Sequence, residues 1–525
     1  MAVAARRLPE AVSEIGMSAT LGARWSSIQV HSEPGREDHL RDLLITVDHG
    51  SGDLTGQLTR ALREAVRDGR LGAGVRLPAT RTLATDLGVS RGVAVEAYAQ
   101  LVAEGYLVSR HGSGTRVASG IAAPGSATPP APPEPAIAYD LKPGTPDLAA
   151  FPRTAWLAAT RRALAEAQHT HLGYGDPAGS PQLRAELASY LGRVRAAAVD
   201  PSEVMVVSGV SQSLALLTGV LAARGHRRLA VEDPSSPGAL ELLRAHGFEP
   251  VGVPVDDEGI VVAALAASGA SVVLVSPAHQ YPTGVVLSPA RRAALVAWAR
   301  DTGGVVLEDD YDAEFRYDRE PVGCLQGLAR DRVVHLGSLS KSLAPGLRLG
   351  WAVVPAWLTA DFREAKRYAD LGTGVLDQLA FAGLLADGAY DRHLRAVRAR
   401  YRSRRDALVG ALHRTLPTAT VRGVAAGLHL YLDLPAGVPE AAVVSAAAAR
   451  RLRVEPVAGM RLSPGGPALT LGYAGLPERR LVRAAELLAE SVAASVGNQA
   501  RGQVRSSASR SINRPSCQDP SGPRS

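Results

Sequence analysis

The chain contains almost no cysteine. Its two cysteines, Cys324 and Cys517, stand far apart, which excludes a disulfide framework and a cysteine-based zinc cluster. No apolar run approaches the roughly eighteen residues that a membrane-spanning helix requires. Residues 1–30 also lack the charged start and apolar stretch of a secretory signal. These absences exclude disulfide-rich secreted proteins and predict a cytoplasmic chain with no membrane partner.

Acidic residues are outnumbered, with 51 Asp and Glu against 58 Lys and Arg, for a net charge of +7. The excess is confined to two segments. Residues 51–119 carry nine basic and six acidic side chains, and residues 498–525 carry five basic and one acidic. A basic balance favours a nucleic-acid partner, whereas a Ser-, Arg- and Pro-rich tail is also typical of a disordered end. The charge alone therefore leaves the partner open.

The first part of the chain has the pattern of a small α+β domain. Residues 1–42 show no sustained periodicity and are expected to form a disordered leader. Over residues 43–117, an apolar stripe of period four begins at Leu54 and predicts a first helix. Two shorter helical patterns follow, and two strand-like segments flank a glycine-rich turn at residues 110–114. Three helices and a hairpin predict a winged helix-turn-helix.

A linker separates this domain from a much larger one. Residues 118–138 carry six prolines and cannot bury a core, so they predict a semi-extended linker. Over residues 139–497, short apolar runs alternate with helical stretches, which predicts a mostly parallel sheet covered on both faces. From about residue 365 the pattern favours a smaller α+β subdomain. Residues 498–525 are expected to form a disordered basic tail.

One loop combines a lysine, hydroxyls and an arginine. In the segment Ser338 to Arg348, Lys341 follows one apolar run and precedes another. An amine that condenses with an aldehyde must be held close and partly desolvated, while a phosphate favours hydroxyls, an arginine and free backbone N–H groups. The segment therefore predicts a Schiff-base lysine in a phosphate-binding turn.

Two further polar clusters follow predicted strands. Ser211 lies in a segment that opens a helix after residues 204–207, where N–H groups and a hydroxyl favour phosphate. Asp309 follows residues 305–307 and provides a carboxylate for a pyridinium nitrogen. Because ligands gather beyond the carboxyl ends of parallel strands, these clusters are expected to meet.

These motifs, together with residues 174–179 and 279–284, resemble those of a fold-type-I, pyridoxal-5′-phosphate (PLP) aminotransferase domain. With the winged domain in front, the chain resembles the MocR/PdxR-type regulators of the GntR family over about residues 54–495. The resemblance implies a multi-domain protein, with an N-terminal winged helix-turn-helix linked to an α/β transferase-like domain and a small C-terminal α+β subdomain. It implies PLP as the cofactor.

The resemblance also assigns roles to individual residues. It makes Lys341 the lysine that condenses with the cofactor and Asp309 the partner of the pyridine nitrogen. The remaining assignments place hydroxyl groups and cations around the rest of the cofactor. The ring hydroxyl would be contacted by Tyr311 and Tyr281. The phosphate would be held by Ser211, Gln212, Ser338 and Arg348. Tyr174 would reach the phosphate of a partner subunit, which implies a homodimer.

The winged domain resembles the GntR signature in the segments 77–84, 87–91, 96–98 and 104–107. In that geometry the third helix enters the major groove and the wing follows the backbone. The resemblance suggests four contacts to DNA phosphates, Arg81, Ser90, Arg91 and Arg110, with Thr115 and His111 as weaker candidates. Gly92, Val93 and Val95 replace polar residues that the family often carries, which leaves fewer groups for hydrogen bonds to bases.

Two positions depart from the aminotransferase pattern. Ser236 stands where the family usually stacks an aromatic ring on the cofactor, and losing that stack is expected to cost roughly 0.5–1.5 kcal/mol. Thr470 stands where aminotransferases commonly place the arginine that binds a substrate carboxylate, which argues against ordinary transamination. Arg461 either substitutes for that arginine or is a surface residue.

Together these features predict a homodimeric transcription regulator whose DNA binding responds to PLP, with or without an amine or amino acid. Two alternatives remain from the sequence. One is a working aminotransferase with a secondary DNA-binding module, and the other is a regulator that has lost PLP through Ser236.

Overall fold

The computed structural model describes residues 25–28, 45–110, 113–120, 136–318 and 322–511; for residues 25–28 and 497–511 it describes the backbone alone. Within these ranges, no helix is long and apolar enough to cross a membrane. The chain divides into two compact units near residue 133. His111 and Gly112 of the predicted wing, and most of the predicted linker, lie outside the described residues.

The first unit contains the three predicted helices and the predicted hairpin, preceded by two further strands. Its elements are β1 (Trp25–Ile28), β2 (Ile45–Asp48), α1 (Leu54–Arg67), α2 (Thr80–Leu87), α3 (Arg91–Ala103), β3 (Leu107–Arg110) and β4 (Gly114–Val117). The β1–β2 and β3–β4 pairs are antiparallel. Strand β1 forms within the segment that was expected to be a disordered leader.

Local chemistry explains where the helices of this unit begin and end. The Asp53 side chain accepts a hydrogen bond from the backbone N–H of Gly56 and caps α1. Gly88 ends α2 in the left-handed region at φ 64°, a conformation that favours glycine. The apolar stripe that predicts α1 contributes Leu58 and Leu62 to a core shared by all three helices and the hairpin.

The second unit alternates strands and helices before ending in longer helices. Its first elements are β5 (Tyr139–Asp140), α4 (Arg153–Glu166), α5 (Pro181–Arg195), β6 (Val204–Val207), α6 (Val210–Ala223), β7 (Arg228–Asp233), α7 (Pro237–Ala245), β8 (Glu249–Asp256), β9 (Gly259–Ile260), α8 (Val262–Ala267), β10 (Val272–Val275), α9 (Pro289–Thr302), β11 (Val305–Asp309), β12 (Val333–Ser338) and β13 (Gly350–Val353). The remaining elements are α10 (Ala356–Asp370), α11 (Val375–Ala386), α12 (Ala389–Thr415), β14 (Thr420–Arg422), β15 (His429–Asp433), α13 (Glu440–Ala449), β16 (Leu452–Arg453), β17 (Glu455–Pro456), β18 (Ala468–Gly472) and α14 (Glu478–Ser511).

An eight-stranded sheet in the order β6-β13-β12-β11-β10-β7-β8-β9 forms the centre of this unit. The strands β12, β11, β10, β7 and β8 are parallel, while β13 is antiparallel to both of its neighbours. The central strands of the sheet are buried throughout, because apolar clusters cover both of its faces. This confirms the predicted α/β fold with a mostly parallel sheet.

A second sheet, in the order β14-β15-β18-β17, packs with α12, α13 and α14 around its own apolar core. This is the smaller α+β subdomain. Its last helix, α14, continues to Ser511. The predicted domain boundary at residue 497 and the start of the predicted disordered tail therefore lie inside a helix. Cys517 lies outside the described residues.

Candidate functional site

A cavity of about 400 Å³ lies beyond the ends of β6, β7, β11 and β12. The position agrees with the rule that ligands bind at the carboxyl ends of parallel strands. It brings together residues that are far apart in the sequence, from Pro143 to His429. Of the nine residues that the resemblance assigned to the cofactor, seven line the cavity: Ser211, Tyr281, Asp309, Tyr311, Ser338, Lys341 and Arg348.

Lys341 lies in the turn after β12 and is held in place by a single backbone contact. Its Nζ donates a hydrogen bond to the carbonyl oxygen of Gly144 at 2.6 Å. Burial lowers the pKa of Lys341, and the carboxylates of Asp312 and Asp309 partly oppose this effect. A lowered pKa increases the neutral amine, which is the form that attacks a carbonyl carbon. The geometry therefore suits a covalent lysine.

Asp309 ends β11 and presents a buried oxygen with no partner. Among the described atoms, Oδ1 of Asp309 has no hydrogen-bond partner. Burial raises the pKa of Asp309 to about 7, the neighbouring Asp310 adds to the rise, and Lys341 opposes it. A buried acceptor without a donor is costly, so this oxygen fits a ligand N–H such as that of a pyridinium ring.

Helix α6 begins at the cavity with an anion-binding arrangement. Gly209 precedes the helix at φ 110°, and no side chain caps the helix there. The guanidinium of Arg348 lies so close that a Cβ built on Gly209 would be 3.4 Å from its Nη2. Ser211 lies on the first helical turn, and Ser338 ends β12. A helix N-terminus, an arginine and two hydroxyls together fit a phosphate.

The aromatic side of the cavity is built around Tyr311. Its hydroxyl lies 3.1 Å from Nδ1 of His279, and the same nitrogen lies 2.9 Å from the Asp312 carboxylate. Burial raises the pKa of Tyr311 well above its usual range, so its hydroxyl stays protonated and remains able to donate. Tyr281 packs edge-on against the Tyr311 ring, with centroids 6.3 Å apart.

In the winged unit, the predicted phosphate contacts divide into two groups. Arg81, Arg91 and Arg110 are exposed, and none forms an ion pair with another described residue. The two hydroxyls have local partners instead. The Ser90 oxygen accepts from the N–H of Val93 at 3.4 Å, and the Thr115 hydroxyl donates to Ser109 at 3.5 Å.

Comparisons with known proteins agree with this arrangement. Residues 54–117 match the family of bacterial regulatory proteins, gntR family, and residues 140–486 match aminotransferase class I and II. The HTH-type pyridoxine biosynthesis transcriptional regulator PdxR of Corynebacterium glutamicum is 35% identical over 79% of this chain and 90% of its own length. The protein named "Probable rhizopine catabolism regulatory protein MocR" of Rhizobium meliloti is 30% identical over 81% of this chain and 91% of its own length.

The chain belongs to the MocR/PdxR-type regulators of the GntR family. Solved structures resemble its second unit. The α-aminoadipate aminotransferase LysN of Thermus thermophilus, complexed with N-(5′-phosphopyridoxyl)-L-leucine, is 28% identical and covers 68% of this chain and 92% of its own, with a TM-score of 0.63.

The two other residues that the resemblance assigned to the cofactor lie away from the cavity of this MocR/PdxR-type chain. Gln212 accepts from the N–H of Ser208 at 2.8 Å and donates to Asp370 at 2.7 Å, so both ends of its amide are engaged. Tyr174 is 92% exposed in a loop before α5. Within one subunit, neither side chain contributes to the site.

Sequence reasoning missed three members of the site. Gly144 holds Lys341 through its carbonyl group, and a Cβ there would lie 3.1 Å from the lysine Nζ. His429 comes from β15 of the small subdomain, and burial holds its pKa well below the usual range. Glu232 ends up buried, with its pKa raised to about 8 by desolvation. No local pattern distinguishes these residues, because distant segments create their environments.

Arg461, a candidate for the missing carboxylate-binding arginine, is already engaged. Its guanidinium donates to the Tyr431 hydroxyl at 2.9 Å and pairs with Glu440 at 3.4 Å. It is neither free at the surface nor part of the cavity lining. Thr470 is fully buried beside the sulfur of Met460. The described site of this family member therefore lacks an arginine positioned for a substrate carboxylate.

Replacing Gly209 with alanine is expected to weaken binding of a phosphate-bearing cofactor by tenfold or more. A residue with a side chain is strained at φ 110°, and its Cβ would lie against the Arg348 guanidinium, 3.4 Å from Nη2. Gly219→Ala is the matched control. Gly219 lies in α6, the helix that Gly209 precedes, and a Cβ built on it meets no neighbouring atom within 4 Å. Titration of each cofactor-free variant with PLP, followed by absorbance, measures the two dissociation constants. Equal affinities for the two variants would contradict the phosphate assignment.

The pH dependence of stability is expected to differ between the cofactor-free protein and Asp309→Asn. In the folded state the pKa of Asp309 is raised to about 7. The stability that Asp309 contributes is therefore fully present below the unfolded-state pKa near 4, and it is lost as the pH rises through 7. Between pH 4 and 7, the wild type should lose about 1.4 kcal/mol per pH unit relative to the variant. Urea unfolding at intervals of half a pH unit measures this difference, and parallel profiles would contradict it.

Proposed function

We propose that this protein is a cytoplasmic, homodimeric transcription regulator whose affinity for operator DNA changes when PLP binds in the 400 Å³ cavity. One observation carries the proposal. The cavity combines a desolvated lysine, an unpartnered carboxylate oxygen and a cationic helix N-terminus, and a GntR-type winged unit precedes it in the same chain. The names of the PdxR and MocR relatives support regulation as the role.

Each end of the cofactor matches a different group of this chain. Lys341 provides the amine, held against Gly144 and shielded from water. Asp309 provides the acceptor for the ring nitrogen, and Arg348 with the start of α6 binds the phosphate. Bound PLP would supply an aldehyde for covalent capture and an electron-accepting ring. Tyr311, kept protonated by burial, would donate to the ring hydroxyl.

The site supports sensing better than turnover. An amino-acid substrate needs its carboxylate fixed so that the reacting bond is oriented, and a bidentate arginine is the usual device. Here Thr470 is buried and Arg461 is committed to Tyr431 and Glu440. We therefore propose that the effector is PLP itself, with or without an amine. The amine, carboxylate and phosphate-binding groups that line the cavity favour the alternative, a working aminotransferase, and steady transamination with any amino donor would establish it.

Exposed apolar side chains support a dimer. Tyr174 is 92% exposed, and three leucines in or near α4 are more than half exposed: Leu157, Leu164 and Leu172. Covering these side chains with a second subunit would remove apolar surface from water, which favours association. In a dimer, Tyr174 would reach the phosphate site of the partner subunit, as the family resemblance implies.

Binding of PLP can change DNA affinity only if the two states of the protein bind PLP differently. The test is fluorescence anisotropy of the full-length protein on a duplex from its own upstream region at fixed salt, with and without PLP. We expect at least a fivefold change in dissociation constant, in either direction. Lys341→Ala should remove this change while still binding DNA. An affinity that PLP leaves unaltered in the wild type would overturn the proposal.

A further inference from the structure

The exposed face of α3 is apolar. Ala94, Ala97, Tyr98 and Leu101 pack into the core of the winged unit, whereas four residues spaced three or four apart point to solvent. We call these four the apolar stripe: Gly92, Val95, Ala99 and Val102. Val95 is 44% exposed and Val102 is 39% exposed. None of the four side chains can donate or accept a hydrogen bond.

Two polar side chains of α3, Glu96 and Gln100, lie on a different edge of the helix. Gln100 donates to Glu104 at 2.8 Å, and Arg63 of α1 donates to the same carboxylate at 2.8 and 2.6 Å. Glu96 and Gln100 also line a shallow cavity with the first turns of α1. This edge therefore faces α1, so the apolar stripe is the part of α3 that remains open to a partner.

Arginines without described acidic partners lie on α3 itself and on elements that contact α3. Arg81 lies in the first turn of α2, Arg91 begins α3, and Arg110 ends β3. Arg76 packs against the wing, where a Cβ on Gly114 would lie 3.1 Å from its Nε. None of these arginines pairs with a described carboxylate. An apolar surface with unpaired arginines on its flanking elements is complementary to the DNA duplex, with its phosphates, rather than to an apolar protein.

In the major groove, the apolar group that distinguishes one base pair from the others is the C5-methyl of thymine. We propose that the apolar stripe, with Val95 at its centre, reads thymine methyl groups, so that this regulator selects its operator by methyl contact rather than by hydrogen bonds from α3. The inference rests on the proposed DNA-binding function. In this mode of binding, the arginines supply most of the affinity for DNA, and Val95 supplies the preference for particular bases.

The test begins with duplexes enriched from a random library by the full-length protein. Each thymine in the enriched sequence is replaced singly by deoxyuridine, which lacks the methyl group and keeps the same hydrogen bonds. At one or more positions, deoxyuridine should weaken wild-type binding about fourfold, the factor that burying one methyl group supports. For Val95→Ala, the loss at those positions should fall below twofold.

Val108→Ala is the matched control, because Val108 is also 44% exposed but lies on β3. It should keep the full fourfold loss. If no position responds to deoxyuridine, or if Val95→Ala responds as strongly as the wild type, the inference is overturned while DNA binding stands. Equal affinity for every duplex, varying only with salt concentration, would overturn the inference in the same way. A protein that binds no duplex overturns the proposed function as well.

Discussion

Lys341→Ala is expected to abolish the visible absorption band that the wild-type protein shows after incubation with PLP. The chain has three lysines, and only Lys341 lies in the cavity. Lys366 is buried in contact with Asp370 and Thr373, and Lys142 is exposed. Without the Lys341 amine, no other described amine can form the covalent bond to the aldehyde.

The comparison protein for this experiment is Lys142→Ala, which removes an exposed lysine two residues before Gly144. It should keep the band. Borohydride reduction of the wild type should also attach the cofactor mass to the peptide that contains Lys341. A band that survives in Lys341→Ala would refute the assignment. A colourless wild type would instead favour the alternative in which Ser236, unable to stack on the ring, has cost the protein its cofactor.

The double variant Arg81→Ala/Arg91→Ala is expected to bind DNA on the order of a hundredfold more weakly at low salt. Each phosphate contact releases condensed counterions. The plot of log affinity against log salt should therefore become shallower in the double variant, its slope less negative by about 0.9 per arginine, or about 1.8 in total. Both side chains are exposed and have no described acidic partner, so their removal breaks no internal ion pair. Anisotropy at four salt concentrations gives both quantities.

Arg67→Ala is a suitable control, since Arg67 is exposed at the end of α1, outside the helix-turn-helix. It should leave the salt slope within about 0.3 of the wild type. If the double variant retained the wild-type slope, the first turns of α2 and α3 would not contact phosphates. The GntR-type orientation of this unit on DNA would then have to be abandoned.

Much of the cofactor site could be predicted because its signals are local. Ser338 ends one apolar strand, and Lys341 and Arg348 lie in the loop that follows it. Asp309 ends another strand, and Tyr311 stands two residues later. The order of strands and helices places these segments at one edge of the sheet. The exposed arginines Arg81 and Arg91 could be predicted because they lie in short segments that resemble the GntR signature, and the structure places each in the first turn of a helix.

Side-chain direction could not be predicted, because it depends on distant partners. Gln212 stands one residue from Ser211, yet it turns to Asp370, 158 residues away, since that pair satisfies its amide outside the cavity. Arg461 similarly points to Glu440 and Tyr431. Strand β1 shows the same limit in the backbone. Its four residues carry no periodic signal, and pairing with β2 makes them a strand.

The sequence by itself determined the order of the two units, the α/β class of the larger one and most of the predicted residues that line the cavity, because these depend on short spacings along the chain. Only the tertiary structure decided that Gly144 holds Lys341, that His429 joins the cavity and that Arg461 is committed elsewhere. Burial creates these properties, since desolvation and pairing arise when segments far apart in sequence exclude water together.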